Sequence, residues 1–434
     1  MDLFYTIVDK IPEPYAEGSS RGAAAGFKTR AEALANPLQI MVTAILYSDY
    51  VGRIAVGRVT AGKVSPGMPV MMVTRNGEQH KQRVLEVEVF EALGRVKAQE
   101  VSAGDICAVI GLDHVEIGAT ITDIENPRPM PPVKVDEPTV TMAFRVNDSP
   151  FAGRDGKFVT GRQVGERLIK ELEKNVALRV DREAGADAWK VSGRGLMHLG
   201  VLIETMRREG YELSVGKPEV IMKTIDGVLC EPVETLAVDC PEASQSDVMS
   251  LVLGRRGELR SMDAKAGTSG WIHMEFKVPS RALFGLRTLM LTTTRGEAVM
   301  YHNLLGYEPV KGEAPRRAAG VMIGGESGPV TAYSLDRLYD RGDFFVKPAD
   351  EIYQGQIVGE HCKNDLEINL VISKKLSNVR AAGSDDAAKI KPTRQMSLEA
   401  CLEYIESDEL VEITPNFIRM RKRWLTENER KRNS

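Results

Sequence analysis

The 434-residue sequence predicts a multidomain α+β protein: a small β-barrel, two ferredoxin-like α/β domains, and a mixed, β-rich C-terminal domain with a long basic loop. Three patterns lead to this prediction. Short apolar runs punctuated by glycine and proline fill the first third. The order β-α-β-β-α-β then occurs twice. The last third mixes short strands with a helix around a long segment that has no periodicity. A chain of this length is expected to hold about three or four domains.

Residues 1–35 are predicted to form one isolated helix followed by a linker. The helix covers residues 3–11 and ends at Pro12 and Pro14, and the segment after it is rich in glycine, alanine and serine. One interpretation is a flexible leader. The alternative is the tail of a domain that precedes this sequence.

Residues 36–132 are predicted to be a small closed β-barrel. Glycine and proline separate short β-rich runs there, as is typical of such barrels. The predicted strands cover residues 38–47, 53–59, 69–73, 83–90, 106–110 and 120–122. A proline-rich connector over residues 127–132 follows.

Residues 136–222 are predicted to be the first ferredoxin-like domain. Thr160 and Gln163 have the spacing of a helix capping box. Gly193 and Gly195 predict a sharp turn with positive φ, and Gly210 predicts a helix end. The predicted elements are a strand at 139–146, a helix at 160–175, strands at 177–181 and 188–192, a helix at 196–209 and a strand at 211–215.

Residues 226–310 repeat this order and are predicted to be the second ferredoxin-like domain. The second helix of this domain should bury Leu283, Leu286 and Leu289. The predicted elements are a strand at 233–239, a helix at 243–253, strands at 257–262 and 271–278, a helix at 280–294 and a strand at 298–304.

Residues 311–434 are predicted to form a separate, β-rich domain. Residues 373–396 show no periodicity, and loops of that length inside a domain are usually functional or disordered. The predicted elements are strands at 321–323 and 331–333, a β pair at 355–360 and 366–372, a short helix at 398–405, and strands at 410–413 and 417–421.

Composition excludes several classes of protein. The net charge of −4 excludes a globally basic, histone-like protein, so any nucleic-acid contact must come from a local patch. No apolar run approaches the roughly 20 residues that span a membrane, and no secretory signal is present, so no membrane partner is expected. The five cysteines never have CxxC spacing, which indicates a reducing cytoplasm and argues against a zinc site.

Catalytic motifs are missing from the sequence. Residues 57–63 match GxxxxGK, but Val64 stands where a P-loop needs serine or threonine, and the match lies between two predicted strands. No asparagine is followed by lysine, so NKxD is absent, and neither HExxH nor GxSxG occurs. His198 is best interpreted as a structural histidine. We therefore predict no catalytic, cofactor-binding or metal-binding residues.

Basic residues are concentrated near the C-terminus. From residue 374 onwards there are 13 basic and 10 acidic residues, against a net −4 for the whole chain. Lysine and arginine bind phosphate backbones, and the loop lacks aromatic residues, so backbone contacts are favoured over base stacking. A merely solvated surface is the alternative. The candidate RNA-binding residues are Lys374, Lys375, Arg380, Lys389, Lys391, Arg394, Arg421, Lys422 and Arg423.

Several long segments resemble the TypA/BipA family of ribosome-associated translational GTPases. The resemblance begins near residue 36 and continues to the end, and its motifs are highly specific. The last two matching segments belong to a C-terminal domain that is particular to this family. The matching segments are residues 147–180, 192–221, 351–361, 374–387 and 409–432.

The resemblance implies a barrel, two α/β domains like the third and fifth domains of elongation factor G, and the family's own C-terminal domain. It implies a cytoplasmic monomer that binds the 50S and 70S ribosome and acts in large-subunit assembly and in translation under stress. The loop at 374–394 would contact 23S rRNA and the A-site tRNA, so its basic residues are the predicted RNA contacts.

The sequence departs from the family at its start. The family begins with a G domain that carries the P-loop and NKxD and uses GTP and Mg²⁺, whereas residues 1–14 resemble only the last helix of that domain. The resemblance therefore implies a C-terminal portion with no cofactor and no catalysis of its own. An adaptor that docks a separate GTPase or another protein is the alternative function. An unrecognised enzyme has little support.

Overall fold

The computed structural model describes residues 2–10, 29–48, 50–92, 94–113, 115–132, 137–172, 175, 177–183, 187–264, 270–312, 317, 319–373 and 392–433. It shows a multidomain, β-rich α+β protein. The chain divides into two compact units, which are described separately: residues 1–136 with 169–177, and residues 137–168 with 178–434. No helix among the described residues is long and apolar enough to cross a membrane.

The first unit begins with two short helices, α1 (Asp2–Lys10) and α2 (Arg30–Leu34). Helix α1 confirms the predicted first helix. Helix α2 lies where a linker was predicted, and it begins there because Thr29 accepts a hydrogen bond from the backbone amide of Glu32 at 3.2 Å. Most of the predicted linker lies outside the described residues.

The β-sheet of the first unit has the strand order β5-β4-β10-β1-β2-β9-β6-β7. Most of its buried apolar residues form one core, which includes Ile40, Val59, Met72 and Ile121, and a smaller cluster of Ile54, Ala108 and Ile110 also lies on this sheet. The prediction of one continuous strand at 83–90 is wrong, because β5 ends at Arg83 and β6 begins only at Glu86. The strands are β1 (Gln39–Ser48), β2 (Gly52–Ala61), β3 (Lys63–Val64), β4 (Pro69–Val73), β5 (Gln79–Arg83), β6 (Glu86–Glu91), β7 (Gly94–Lys97), β8 (Val101–Ser102), β9 (Ile106–Ile110) and β10 (Thr120–Thr122).

The second unit contains two α/β sheets. In the first, helices α3 (Gly161–Leu172) and α4 (Leu196–Glu209) match the two predicted helices, although the last turn of α3, from residue 169, is assigned to the first unit. The amide of Gln163 donates to Thr160 Oγ1 and the amide of Thr160 donates to Gln163 Oε1, which confirms the capping box. The strands are β11 (Val140–Val146), β12 (Arg179–Arg182), β13 (Ala188–Gly193), β14 (Leu213–Gly216) and β15 (Glu219–Val220).

The glycine turn before α4 differs from its prediction. Gly195 has an extended backbone with φ 173°, and Gly193 has no positive φ. A Cβ on Gly193 would lie 2.8 Å from His198 Nδ1 and 3.0 Å from Leu199 Cδ2. Gly193 is therefore required for close packing rather than for backbone freedom. Gly210 does have the left-handed conformation predicted for a helix end, with φ 96°.

The second α/β sheet contains helices α5 (Gln245–Gly254) and α6 (Leu286–Thr293). Leu283 and Leu286 are buried as predicted, but Leu289 is 44% exposed and Met290 occupies the core instead. The predicted helix at 280–294 is broken at Gly285, which has φ 69°. The strands are β16 (Lys223–Ile225), β17 (Val228–Pro241), β18 (Glu258–Ala264), β19 (Trp271–Pro279) and β20 (Val299–Pro309).

The C-terminal domain forms a four-stranded sheet of its own with the order β23-β25-β21-β26. Two predictions are wrong here. Residues 331–333 begin a helix because Thr331 caps it, and β25 and β26 both pair with β21 rather than with each other. The elements are β21 (Gly320–Gly324), β22 (Gly328–Pro329), α7 (Ala332–Leu338), β23 (Gly342–Phe344), β24 (Glu351–Ile352), β25 (Ile357–His361), β26 (Leu366–Ile368), α8 (Leu398–Tyr404), β27 (Glu409–Ile413), β28 (Ile418–Lys422) and α9 (Glu427–Asn433).

The last hairpin of the chain belongs to a sheet formed much earlier in the sequence. Strand β27 pairs antiparallel with β14, from Leu213 opposite Ile413 to Gly216 opposite Leu410, and β28 pairs with β27. The resulting order is β12-β13-β11-β14-β27-β28. The first α/β sheet and the C-terminal domain therefore share one continuous hydrogen-bonded sheet.

Candidate functional site

The structure fixes the N-terminal end of the predicted RNA-binding loop. Thr331 Oγ1 and Ser334 Oγ donate hydrogen bonds to the carbonyl of Ile372 at 2.6 and 2.9 Å, and the amide of Thr331 donates to the carbonyl of Leu370 at 2.9 Å. Thr331 is also the N-cap of α7. One side chain therefore both begins the helix and holds the chain where the loop starts.

The C-terminal end of the loop is held at Arg394. Its amide donates to the carbonyl of Phe344 at 2.9 Å, and its guanidinium lies 3.5 Å from the carboxylate of Glu360. The loop is therefore attached at one end to the start of α7 and at the other end to β23 and β25, all within the C-terminal domain. The other predicted loop contacts lie outside the described residues: Lys374, Lys375, Arg380, Lys389 and Lys391.

Arg421 and Lys422 are not on the surface. Arg421 is 1% and Lys422 3% exposed. Arg421 pairs with Asp148, and Lys422 Nζ lies 2.7 to 3.0 Å from Asp365, Asp408 and Glu409. The prediction is corrected for these two residues, since both side chains are buried and each is paired with carboxylates of the protein itself.

Arg423, the third basic residue of this stretch, is exposed. Its guanidinium lies 5.3 Å from the ring centre of Trp424. Together with Arg394 it is one of two predicted contact residues that the structure both describes and leaves accessible.

A buried carboxylate, Glu409, explains the position of Lys422. Arg317 donates to both carboxylate oxygens of Glu409 at 2.8 and 2.9 Å. Burial alone would raise the pKa of Glu409, but the hydrogen bonds and charge of Arg317, with the charge of Lys422, bring the pKa below its ordinary value. The same carboxylates raise the pKa of Lys422 despite its burial. The cluster stays ionised and ties β27 and β28 to the segment before β21.

A second buried carboxylate, Glu412 on β27, joins the domain to the loop at 147–156. It accepts hydrogen bonds from Tyr353 Oη at 2.6 Å, Ser149 Oγ at 2.9 Å and Asn147 Nδ2 at 3.2 Å. Asn147 also donates to buried Glu212 at 2.6 Å. Burial, followed by the Glu412 charge, raises the pKa of Tyr353 well above its ordinary value.

Sequence reasoning missed this polar network. Its signal was present in the segment NDSPFAGRDG at 147–156, which is polar and rich in turn-forming residues and precedes α3. No periodicity argument could show that its partners lie more than 250 residues further along the chain.

A cavity of about 770 Å³ lies where the two α/β sheets and the C-terminal domain meet. On its wall, Glu403 accepts a hydrogen bond from Thr288 Oγ1 at 3.5 Å. Burial raises the pKa of Glu403, opposed by the backbone of Gly285, by Thr288 and by the charge of Arg255. Other lining residues are Lys217, Val220, Phe284, Leu289, Met396 and Tyr404. Among the residues described here, no three His, Cys, Asp or Glu side chains are grouped to hold a metal ion.

Comparison with protein families matches three parts of the chain. Residues 52–122 match elongation factor Tu domain 2, residues 228–318 match the elongation factor G C-terminus, and residues 319–427 match the TypA/BipA C-terminal domain. The last match includes both anchors of the loop, together with Glu409 and Lys422.

Curated relatives cover nearly the whole chain. The large ribosomal subunit assembly factor BipA of Bacillus subtilis (strain 168) is 43% identical over 432 residues, which are 99% of this chain and 68% of that protein. The chain belongs to the TypA/BipA family. Other members are similarly close: the BipA proteins of Salmonella typhimurium and Synechocystis are 43% and 46% identical, over 99% and 89% of this chain. The chain spans 64 to 68% of the length of these family members.

Family membership confirms the resemblance from which the loop was predicted to be a ribosome contact. The family models also identify three of the domains on this chain: a domain like elongation factor Tu domain 2, a domain like the elongation factor G C-terminus, and the family's own C-terminal domain. The predicted domain boundaries at 35, 132, 222 and 310 stay predictions.

Proposed function

We propose that this chain binds the ribosome and acts as a TypA/BipA-family factor in large-subunit assembly and in translation under stress, as a cytoplasmic monomer. In this proposal the basic loop at 374–394 contacts 23S rRNA and the A-site tRNA, with Arg394 and Arg423 beside it. Arg421 and Lys422 are left out because they are buried.

The observation that carries this proposal is the attachment of the loop. Both of its ends are held by hydrogen bonds to a folded domain, through Ile372 and Arg394. That domain in turn shares a sheet with the first α/β domain. A loop that carries Lys374, Lys375, Lys389 and Lys391 on such a base suits phosphate contacts inside a large RNA, because a loop reaches where a compact face cannot.

Two further features belong to the proposal. The four principal strands of each α/β sheet lie in the order second-third-first-fourth, which supports a ferredoxin-like fold for both domains. We assign no GTP hydrolysis to these residues. The GxxxxGK match runs from β2 into β3 and does not precede a helix that could hold phosphate.

Co-sedimentation with purified 50S subunits across a salt series tests the loop. Replacing Lys374, Lys375, Lys389 and Lys391 with glutamine should weaken binding about tenfold or more. The dependence of log K on log salt should also become flatter, by about 0.7 to 0.9 for each RNA phosphate that the variant no longer neutralises.

A matched control separates a specific contact from general charge. The control variant removes the same amount of positive charge from exposed positions elsewhere, by replacing Lys63, Lys81, Lys97 and Arg182 with glutamine. If both quadruple variants weaken binding equally, the loop assignment is wrong. If the wild-type chain co-purifies with a protein partner and not with ribosomal particles, the adaptor function is favoured instead.

A further inference from the structure

The tip of the β27–β28 hairpin is held unusually firmly. The amide of Thr414 donates to the carbonyl of Phe417 at 2.9 Å, and the amide of Phe417 donates to Thr414 Oγ1 at 3.0 Å. Asp155 accepts hydrogen bonds from Thr414 Oγ1 at 2.6 Å, from the amide of Asn416 at 2.9 Å, and from Asn416 Nδ2. These bonds fix the backbone that presents Phe417.

Phe417 is 52% exposed at this tip although it is a large apolar side chain. The guanidinium of Arg419 lies 4.3 Å from its ring centre and 5.2 Å from the ring centre of Phe151. The guanidinium of Arg154 lies 4.2 Å from the ring centre of Phe151. Cations and rings therefore alternate, and Phe417 is the exposed ring at one end of the series.

The surroundings of the tip are basic. Arg207 donates to the carbonyl of Pro415 at 3.1 Å, and Arg154 and Lys157 are exposed on the neighbouring loop. The nearby acidic groups are already engaged: Glu204 pairs with Arg207 and Arg208, Asp155 binds the tip, and Glu412 is buried. The two exposed cations, Arg154 and Lys157, outnumber the carboxylate of Asp155, so the charge at the tip is complementary to a polyanion.

We propose that this tip is a second RNA contact, separate from the basic loop, in which Phe417 stacks on an unpaired base of ribosomal RNA. The inference rests on the ribosome association proposed above and names a contact for it. Unpaired bases in RNA stack on exposed aromatic rings, and a guanidinium beneath the ring strengthens the contact. Arg154 and Lys157 then meet the flanking phosphates. Since the phenylalanine side chain forms no hydrogen bond, the contact recognises that a base is unpaired but does not distinguish which base it is.

Replacement of Phe417 tests the contact with 50S subunits. Phe417→Ala should weaken binding about tenfold, within the range measured for single base-stacking aromatics, while Phe417→Tyr should retain binding because the ring is kept. Phe90→Ala is the matched control, since Phe90 lies on a strand of the first unit and, like Phe417, is about half exposed. Unchanged thermal unfolding of the variants shows that the fold is intact.

Photocrosslinking distinguishes RNA from protein at the same position. With p-benzoylphenylalanine at residue 417 of the full chain, crosslinks to a single-stranded region of rRNA are the expected result. Crosslinks confined to ribosomal protein, or Phe417→Ala binding equal to wild type, overturn the stacking proposal while ribosome binding stands. If the wild-type chain fails to bind 50S or 70S particles at any salt concentration, the proposed function itself is wrong.

Discussion

At the scale of single residues, the two glycines before α4 show how similar sequence signals have different physical causes. Gly193 packs against His198 and Leu199, whereas no atom lies within 4 Å of a Cβ built on Gly195. His198 Nδ1 also accepts a hydrogen bond from the amide of Arg194 at 3.2 Å, which confirms its structural role. The requirement for glycine at Gly193 thus comes from the helix that follows it.

Alanine at each glycine gives a matched pair of variants. Gly193→Ala should lower the free energy of unfolding by about 1–3 kcal/mol, because the new methyl group forces the histidine ring or the strand to move. Gly195→Ala should change it by less than about 0.5 kcal/mol, since the extended backbone and open space accept a side chain. Urea denaturation of both variants measures the difference, and equal destabilisation would contradict the packing explanation.

At the scale of elements, the β27–β28 hairpin is held by buried charge. Lys422 is surrounded by Asp365, Asp408 and Glu409. Burial would raise the pKa of Asp365, but the hydrogen bonds from Lys422 and from the amide of Val321 lower it below its ordinary value of 3.8. Removal of the lysine would leave Asp365 and Asp408 without this counter-charge, and buried Glu409 with Arg317 alone.

This cluster predicts acid sensitivity with a defined sign. Because the folded-state pKa values of Asp365 and Glu409 are lowered from 3.8 and 4.5, their contribution to stability is present above about pH 4.5 and is lost as the pH falls through the folded values. The temperature at the midpoint of thermal unfolding should therefore decrease as the pH is lowered from about 5 to about 3.

Lys422→Met isolates the cluster in the same measurement. At pH 7 the variant should be less stable by about 3 kcal/mol, as for other broken buried pairs. Its stability should depend less on pH below about pH 5, because protonation of the carboxylates then removes a smaller stabilising interaction. A variant whose acid profile runs parallel to wild type would show that other groups govern the transition.

At the scale of the whole molecule, Asn147 connects the first α/β sheet to the C-terminal domain. Its Nδ2 donates to Glu212 and Glu412, and its Oδ1 accepts from Ser214 Oγ at 3.2 Å. Because β14 and β27 lie side by side in one sheet, the two regions should open and close as one cooperative unit.

Hydrogen exchange of the full chain tests this coupling. Asn147→Ala leaves two buried carboxylates short of a donor, so amides of Leu213–Gly216 and Glu409–Ile413 should become less protected together, by about 1–3 kcal/mol in opening free energy. Amides of β17, β19 and β20 should be unaffected. Asn303→Ala, on an exposed strand position, is the control. Reduced protection in only one of the two strands would refute the shared unit.

Much of the secondary structure could be predicted from the sequence, and particular errors show why the rest could not. Helix α4 was predicted with its observed bounds because its apolar spacing, its glycine stop and its basic last turn all agree. Thr331 was placed in a strand, although its side chain caps α7 and holds Ile372, a partner 41 residues away. Leu289 was placed in the core, but the break at Gly285 rotates the helix so that Met290 points inward.

The candidate site divides in the same way. The basic loop could be found from composition alone, since it depends only on which residues stand next to one another. In the sequence, Arg421 and Lys422 cannot be told apart from the basic residues of that loop. Only their burial and their pairing with distant carboxylates show that they are not surface residues.

The sequence alone therefore determined the family, the helices of the first α/β domain and where basic residues are concentrated, because these follow from local patterning along the chain. Only the tertiary structure decided that Arg421 and Lys422 are buried and paired, that the final hairpin completes a much earlier sheet, and that Phe417 is the exposed ring at one end of a row of rings and guanidinium groups. The physical reason is that burial and charge neutralisation depend on partners brought together by folding, up to 273 positions apart in the chain.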